Sequence, residues 1–175
     1  MKEARVKFVW VGHDPAELGG EYGKRLCEEV KAWGLEGDVE FTGYLANPYP
    51  AYQAFDVFVL SSREDPFPLV CLDNLYLGKP VVCFAEGGGA AEVVRGDAGI
   101  VVENLDPSAM ARAVVRLLRD KEERDKLGRR GRERIREEFS IPRLAESVHE
   151  ILEGLPHQVL GSFFHRRVAS RMPRR

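Results

Sequence analysis

The sequence predicts an α/β fold with a parallel sheet of about five strands and helices on both of its faces. Its 175 residues are 44% hydrophobic and 31% charged, a balance typical of a globular chain with an apolar core. Short apolar runs rich in β-branched residues alternate along the chain with segments of helical period. Glycine and proline stand between the two kinds of segment, as expected at turns.

Five apolar runs are the predicted strands. All of them are short, which favours strands over helices. Helices separate consecutive strands, so neighbouring strands are expected to run parallel and to be covered on both faces. The runs span residues 6–11, 38–42, 56–60, 80–84 and 99–102.

Seven further segments are predicted to be helical. In the first, Leu26, Val30 and Trp33 recur at i, i+4 and i+7, which places them on one helix face. The segment over 121–138 mixes acidic and basic residues, which favours a charged face in solvent. The helical segments span residues 20–33, 51–55, 68–77, 90–95, 107–119, 121–138 and 141–153.

Charge divides the chain into a predicted domain over 1–154 and a tail over 155–175. The formal net charge is −2, from 26 basic and 28 acidic residues, but the tail contains five arginines and no acidic residue. We expect a flexible tail, which is either a solvated terminus or a weak contact to acidic lipid headgroups or an acidic partner. The body is acidic and has no basic stripe, so no nucleic acid is expected as a partner.

Composition also bears on compartment and on metal binding. No apolar run approaches the roughly 20 residues of a membrane-spanning helix, and the first residues lack the pattern of a secretory signal. Cys27, Cys71 and Cys83 are far apart and odd in number, which predicts buried thiols in a reducing compartment. Their spacing does not match a metal site. These features predict a cytoplasmic protein without a metal.

Ligands of parallel α/β sheets bind beyond the carboxyl ends of the strands, so the loops that follow the strands are the candidate site. One loop contains Gly87, Gly88 and Gly89 just before a predicted helix. Such glycines let a ligand approach the backbone, and free N–H groups at the helix start suit a phosphate. Glycines also form plain turns, so both interpretations stay open. Neither GxGxxG nor GxxxxGK[ST] occurs, which leaves dinucleotide and P-loop sites without support.

The loop after the third predicted strand concentrates charge. Arg63, Glu64 and Asp65 follow that strand, and Asp73 comes eight residues after Asp65, about two turns into the next predicted helix. Paired carboxylates in this position can accept hydrogen bonds from sugar hydroxyl groups. Alternatively, Glu64 and Asp65 only compensate the positive end of the helix dipole.

Several motifs occur in an order that resembles the C-terminal half of a retaining GT-B glycosyltransferase of family 4, also called group 1. The resemblance covers about residues 6–152. It implies a Rossmann-like parallel sheet that binds a nucleotide-sugar donor. It rests on SSREDPFPLVCLD (61–73), GKPVV (78–82), GGGAAEVV (87–94), DAGIVV (97–102), LDPSA (105–109) and REEFS (136–140).

In that family, two acidic residues separated by seven positions bind the donor. Aligning on Phe67 places them at Asp65 and Asp73. The resemblance implies that Asp65 is the catalytic carboxylate facing the transferred sugar, with neighbouring Glu64 as an alternative, and that Asp73 holds the ribose hydroxyl groups. The family motif normally has two glutamates. An aspartate is one methylene shorter, about 1.5 Å, so donor binding requires the helix to sit closer.

The resemblance implies a donor site that extends over several loops. The backbone at the start of the helix that carries Asp73 lies at the donor, and the glycine loop lies near the sugar and the diphosphate. The turn after the second strand contacts the base. The nucleotide-diphosphate sugar is a substrate, and no cofactor or metal is implied. The implied donor-binding residues are Asp73, Phe67, Pro68, Leu69, Val70, Gly87, Gly88, Gly89, Gly43, Tyr44, Gly12 and His13.

The chain departs from the family pattern at its start. In the family, the C-terminal half opens with a strand ending in Gly-Arg and then a Lys-Gly pair, and these two cations neutralise the leaving diphosphate. Here the sequence starts one strand later and lacks the acceptor-binding half, so these 175 residues alone are not expected to transfer a sugar. Arg63 and Lys79 are candidate replacements, although neither occupies a family position.

The missing first strand would be the central one of the sheet. Its absence is expected to leave a gap between the strands that begin near residues 6 and 56. The flanking strands can close up, residues 159–164 can fill the gap, or a second chain can donate a strand. Exposed apolar strand edges favour the last, and with it a homo-oligomer.

Three functions are compatible with these residues. The favoured one is the donor-binding part of a retaining glycosyltransferase that works with an acceptor-binding domain or subunit. A second is a non-catalytic module that binds a nucleotide sugar. A third is an inactive structural remnant in which Asp65 and Asp73 serve only the helix. Nucleotide-sugar binding that is lost in Asp73→Ala separates the first two from the third.

Overall fold

The computed structural model describes residues 6–18 and 20–154. The chain divides into two compact units, Met1–Asp56 and Val57–Arg175, and each contains a parallel sheet. The predicted basic tail over 155–175, with its expected contact to acidic headgroups or an acidic partner, lies outside the described residues.

The first unit contains a two-stranded parallel sheet and, in its described part, three helices. Its elements are β1 (Phe8–Trp10), α1 (Pro15–Leu18), α2 (Gly20–Ala32), β2 (Val39–Phe41) and α3 (Tyr49–Ala54). In the ladder, Phe8 lies opposite Val39 and Trp10 opposite Phe41. The two strands therefore end at the same edge, where the loops after residues 10 and 41 begin.

Helix α2 follows its predicted face for most of its length. Leu26 and Val30 are half-buried, as expected from their spacing. Trp33 follows the last helical residue, Ala32, and its N–H group still bonds to Glu29 O at 3.0 Å, but its side chain is 74% exposed, so the third position of the predicted face is not buried.

The second unit contains a three-stranded parallel sheet in the order β3-β4-β5. Its elements are β3 (Phe58–Leu60), α4 (Leu69–Tyr76), β4 (Val81–Phe84), a 3-10 helix (Ala85–Gly87), α5 (Ala90–Val94), β5 (Gly99–Val102), α6 (Pro107–Arg119), α7 (Lys121–Glu138) and α8 (Ile141–Glu153). Every predicted strand and helix is present, with ends that differ by at most two residues. The short α1 and the 3-10 helix were not predicted.

The predicted α/β class with five parallel strands is confirmed, but the strands form two sheets, of two and three strands, rather than one. Apolar runs identify strands without identifying their partners, so the sequence could not show this division. The strands that begin near residues 6 and 56 belong to different sheets, which is where the sequence predicts a gap.

The core of the second unit lies on both faces of its sheet. Central strand β4 is buried along its whole length, and its side chains alternate between the faces. Val81 and Cys83 pack with Leu75 of α4 and with α5. Val82 packs on the other face with Leu117 of α6. The expected helices on both faces are therefore present in this unit.

Three arginines of α7 donate hydrogen bonds to carbonyl groups in the last turns of three other helices, where the carbonyls have no partner within their own helix. We call these contacts the arginine caps. Arg124 Nη1 donates to Leu117 O (2.9 Å) and Leu118 O (3.2 Å) of α6. At the end of α4, Arg132 Nε donates to Tyr76 O (3.0 Å) and Arg132 Nη2 to Leu77 O (2.6 Å). Arg134 Nη1 donates to Val93 O (2.8 Å) and Val94 O (2.9 Å) of α5.

Arg134 is the most buried of these arginines, with 3% of its surface exposed. It also forms ion pairs with Asp97 and Glu138. Partial burial would raise the pKa of Asp97, but hydrogen bonds from Arg134 and Arg130 outweigh burial and hold that pKa below its ordinary value. The prediction of a solvated charged face over 121–138 is wrong for Arg134, because alternating charges do not reveal which side chains reach buried carbonyls.

Cys71 and Cys83 are buried in the core, as predicted, whereas Cys27 is only partly buried. Burial is the main cause that raises the pKa of Cys71 to about 12, with the neighbouring Cys83 and Asp65 adding to it. Burial likewise raises the pKa of Cys83 to about 11. Both thiols are therefore uncharged at neutral pH. Among the described helices, none combines the length and the apolar character needed to cross a bilayer.

Candidate functional site

The two loops singled out in the second unit lie at the same edge of its sheet and are joined to each other. Residues 61–68 follow β3, and residues 85–89 follow its parallel neighbour β4. Asp65 and Gly88 form an isolated parallel bridge. Asp65 N donates to Gly87 O (2.9 Å), and Gly89 N donates to Asp65 O (3.3 Å) and Pro66 O (3.2 Å). We call this set of backbone contacts the loop clip.

The three consecutive glycines are required by the loop clip itself. A Cβ on Gly88 would lie 2.0 Å from Asp65 O, and one on Gly89 would lie 2.6 Å from Pro66 O. On Gly87 it would lie 2.8 Å from Ser62 O. The sequence suggested either close approach of a ligand or a plain turn, whereas the structure gives a different reason, the close approach of another loop. The N–H group of Gly89, expected to be free for a phosphate, is used within the clip.

The loop clip distinguishes Asp65 from its neighbours. It fixes the backbone of Asp65, whose residue is half-buried, while Arg63 and Glu64 are exposed. Arg63 lies at this edge because it follows β3. Lys79, the other predicted replacement cation, directly precedes Pro80 and β4 and so lies at the opposite edge of the sheet.

Helix α4 begins immediately after the clipped loop. Pro68 is its N-cap residue, and its side chain makes no capping hydrogen bond. Phe67 is 42% exposed and its ring lies 6.2 Å from that of Phe139. Leu69 is 68% exposed, and Val70 is half-buried. This start of the helix is therefore open to solvent at the edge where the strands end.

Asp73 lies in the second turn of α4 and is half-buried. The next residue, Asn74, is fully buried, and its Nδ2 donates to Val70 O at 2.9 Å. Arg132 caps the other end of the helix. Helix α4, which carries Asp73, is thus fixed at its carboxyl end by α7 and begins directly after the loop clip.

Glu86 is a site residue that sequence reasoning missed. Its Oε1 accepts a hydrogen bond from Asn104 N at 2.9 Å, which joins the loop after β4 to the loop after β5. Asn104 and Leu105 have φ values of 61° and 45°, a left-handed backbone that is uncommon for residues with a side chain. No sequence signal identified this contact, since a single glutamate beside glycines has no characteristic spacing.

The predicted residues of the first unit form a second loop pair. Gly12 N donates to Gly43 O at 3.3 Å, so the loops after β1 and β2 are joined. Both glycines have positive φ values, 147° and 68°. His13 is exposed, and Tyr44 is 76% exposed. Gly12, His13, Gly43 and Tyr44 therefore lie together at the carboxyl ends of the strands of this unit.

The part of the chain that the structure describes contains no cluster of metal-ligating side chains. No group of three or more His, Cys, Asp or Glu side chains there is arranged to hold an ion. The edge of the second sheet offers carboxylates, one arginine, the hydroxyl groups of Ser61 and Ser62, the amide of Asn104 and backbone groups.

Comparison with known proteins identifies the family. The family model for glycosyl transferases group 1 matches residues 1–134. The chain belongs to this family. Lipopolysaccharide core biosynthesis glycosyltransferase LpsE of Rhizobium meliloti is 31% identical over 149 residues, which cover 85% of this chain and 42% of LpsE.

Solved structures of group 1 relatives share the fold. Sucrose-phosphate synthase from Thermosynechococcus elongatus matches with a TM-score of 0.72 and 30% identity, over 88% of this chain and 38% of that one. HepE of Anabaena in complex with UDP-glucose matches with a TM-score of 0.74 and 26% identity, over 86% and 41%. The predicted family and Rossmann-like α/β class are confirmed. The group 1 chain described here spans less than half the length of these relatives.

Proposed function

We propose that this chain is the nucleotide-sugar-binding domain of a retaining glycosyltransferase. The observation that carries the proposal is the loop clip, which holds the Asp65 loop against the glycine loop at the carboxyl edge of a parallel sheet. Ligands of such sheets bind at this edge. Membership of the group 1 family supports a sugar nucleotide as the ligand.

Two carboxylates have proposed roles in holding the donor. Asp65 accepts hydrogen bonds from the transferred sugar, and Asp73 accepts them from the ribose hydroxyl groups. Bonds from hydroxyl groups to a charged carboxylate are stronger than those between neutral groups. Fixing both ends of the segment from Asp65 to the end of α4 limits how far these shorter side chains can withdraw from a ligand. Glu64 remains the alternative to Asp65.

Backbone groups of the second unit also have a proposed role at the donor. The start of α4 and the glycine loop approach the sugar and the diphosphate. In the first unit, a contact of Gly43 and Tyr44, with Gly12 and His13 beside them, to a base stays a prediction from the family resemblance. HepE of Anabaena, which matches this chain over 86% of its length, was crystallised with UDP-glucose, and this supports a nucleoside diphosphate sugar as the donor class.

Transfer of the sugar is proposed to need a further domain or subunit that binds the acceptor. The chain spans 34%, 42% and 43% of three curated relatives. Transition-state stabilisation needs groups aligned with both the leaving diphosphate and the attacking acceptor. We therefore expect the 175-residue chain to bind a donor without transferring its sugar.

Calorimetric titration of the full chain with UDP-glucose, GDP-mannose and ADP-glucose tests this proposal. One of the three is expected to bind. Asp73→Ala is expected to weaken that binding about 10- to 100-fold, the worth of hydrogen bonds to a charged group. Asp125→Ala is the matched control, because Asp125 pairs with Lys121 on α7 and has no proposed contact to the donor.

The outcomes separate the alternatives. Absence of binding for all three sugar nucleotides at millimolar concentration would contradict the proposal. Equal binding by the wild type and Asp73→Ala would indicate that Asp73 serves only the helix. Sugar transfer by the isolated chain would contradict the requirement for an acceptor-binding partner.

A further inference from the structure

The edge of the second sheet at which the strands end is strongly acidic. Three loops form it: residues 61–68 after β3, 85–89 after β4 and 103–106 after β5. Together they contain five carboxylates and one cation, Arg63. The carboxylates belong to Glu64, Asp65, Glu86, Glu103 and Asp106.

Two of these carboxylates accept hydrogen bonds from backbone N–H groups. Glu86 accepts from Asn104 N. Asp106 is the N-cap of α6 and accepts from Ser108 N at 2.8 Å. Its pKa lies below the ordinary value, chiefly because backbone N–H groups of Ala109 and Ser108 bond to it. A diphosphate that approaches this edge therefore meets an excess of negative charge.

Arg63 is the cation placed to offset this charge. It lies between β3 and the loop clip, two residues before Asp65, and is exposed. Among the described residues it has neither a hydrogen bond nor an ion pair, so no existing contact has to break before it binds an anion. The planar guanidinium group of an arginine can bond two phosphate oxygens at once.

We infer that Arg63 binds the diphosphate of the donor and makes this acidic edge able to accept it. The inference rests on the proposed function and adds the residue that recognises the phosphate groups. It also separates the two replacement cations that the sequence left open, since Lys79 lies at the opposite edge. Arg63 acts here as a binding group with a charge that also suits the departing diphosphate.

Titrations of the full chain with UDP-glucose, GDP-mannose, ADP-glucose and inorganic pyrophosphate test the inference. Arg63→Gln is expected to weaken binding of the preferred sugar nucleotide and of pyrophosphate about 10- to 100-fold, the loss typical of a charged hydrogen bond. Arg63→Lys should recover only part of the affinity, because it keeps the positive charge but loses the planar group that bonds two phosphate oxygens at once. Lys79→Gln is the rival variant and should bind like the wild type.

Salt provides a second measurement. Affinity of the wild type should fall between 50 and 300 mM sodium chloride, and the fall should be smaller in Arg63→Gln, because one cation–phosphate contact is gone. Thermal melting of each variant shows whether it is folded, and an exposed residue without partners should leave the melting temperature unchanged.

Each outcome bears on a different statement. Wild-type binding of a sugar nucleotide that Arg63→Gln leaves within twofold would overturn the inference and leave the proposed function standing. Failure of all sugar nucleotides to bind, with pyrophosphate binding that depends on Arg63, would overturn the proposed function while the phosphate contact stands. A larger loss of affinity in Lys79→Gln than in Arg63→Gln would show that Lys79, and not Arg63, binds the diphosphate, and would overturn the inference.

Discussion

Replacing Gly88 by alanine tests whether the loop clip builds the proposed donor site. Gly88 has φ 109° and ψ −150°, a backbone conformation open almost only to glycine, and forcing alanine into it costs about 1–3 kcal/mol. The new methyl group would lie 2.0 Å from Asp65 O, so the loops must separate. The two bonds between Asp65 and the glycine loop, at 2.9 and 3.3 Å, are each worth about 0.5–1.5 kcal/mol. The expected total is about 2–6 kcal/mol.

Gly96→Ala is the matched control for this substitution. Gly96 also has a positive φ, 74°, but a Cβ there meets no atom within 4 Å. It therefore measures backbone strain alone, about 1–2 kcal/mol. Urea unfolding followed by circular dichroism gives both free energies of unfolding. Titration with the preferred sugar nucleotide should show at least a tenfold loss for Gly88→Ala and no change for Gly96→Ala.

The reasoning would be refuted if Gly88→Ala were no less stable than Gly96→Ala and bound the sugar nucleotide within twofold of the wild type. A loss of stability with unchanged affinity would show that the clip supports the fold and does not shape the donor site.

Three further predictions concern the second unit. Arg134→Met should lower the free energy of unfolding by about 3 kcal/mol, because it removes the hydrogen bonds to Val93 O and Val94 O and one of the two arginine partners of Asp97. Exposed Arg129→Met should change it by less than about 0.5 kcal/mol in the same urea titration. The pKa of Asp97 is lowered in the folded protein. The ionised carboxylate therefore stabilises the fold fully above the unfolded pKa of about 4, and this stabilisation disappears as the pH falls through the folded pKa. The difference in free energy of unfolding between the wild type and Asp97→Asn should shrink below about pH 4. With pKa values of about 12 and 11, Cys71 and Cys83 should resist iodoacetamide at pH 8 in the native protein and react in urea. Mass spectrometry detects the labelled cysteines, and rapid labelling of either one in the native protein would contradict its burial.

Local pattern predicted the elements of this fold well. The apolar run that becomes β4 and the glycine that ends α4 at residue 78 act within a few residues, and the structure places both as expected. Family resemblance supplied the proposed class of ligand. It also placed the acidic pair on a loop and a helix that do follow one another at the carboxyl edge of a sheet.

Contacts between residues distant in the sequence were not predictable in the same way. Arg132 and Tyr76 are 56 residues apart, and nothing in either local sequence identifies the other as its partner. The same holds for Glu86 and Asn104, 18 residues apart. The sequence shows that residue 88 is a glycine, but the reason a side chain does not fit there is the carbonyl oxygen of Asp65, which comes close only in the folded chain.

The arginine caps also bear on how the second unit is completed during synthesis. All strands of its sheet precede residue 103, whereas the groups that cap α4, α5 and α6 come from residues 124–134. A chain that emerges from the ribosome N-terminus first therefore has its whole sheet before the arginines that cap these helices have been made. Helix α4, with Asp73, can reach its final stability only after α7 has been made. A nascent chain that stops near residue 120 therefore contains both acidic residues of the proposed site but lacks the helix that fixes one of them.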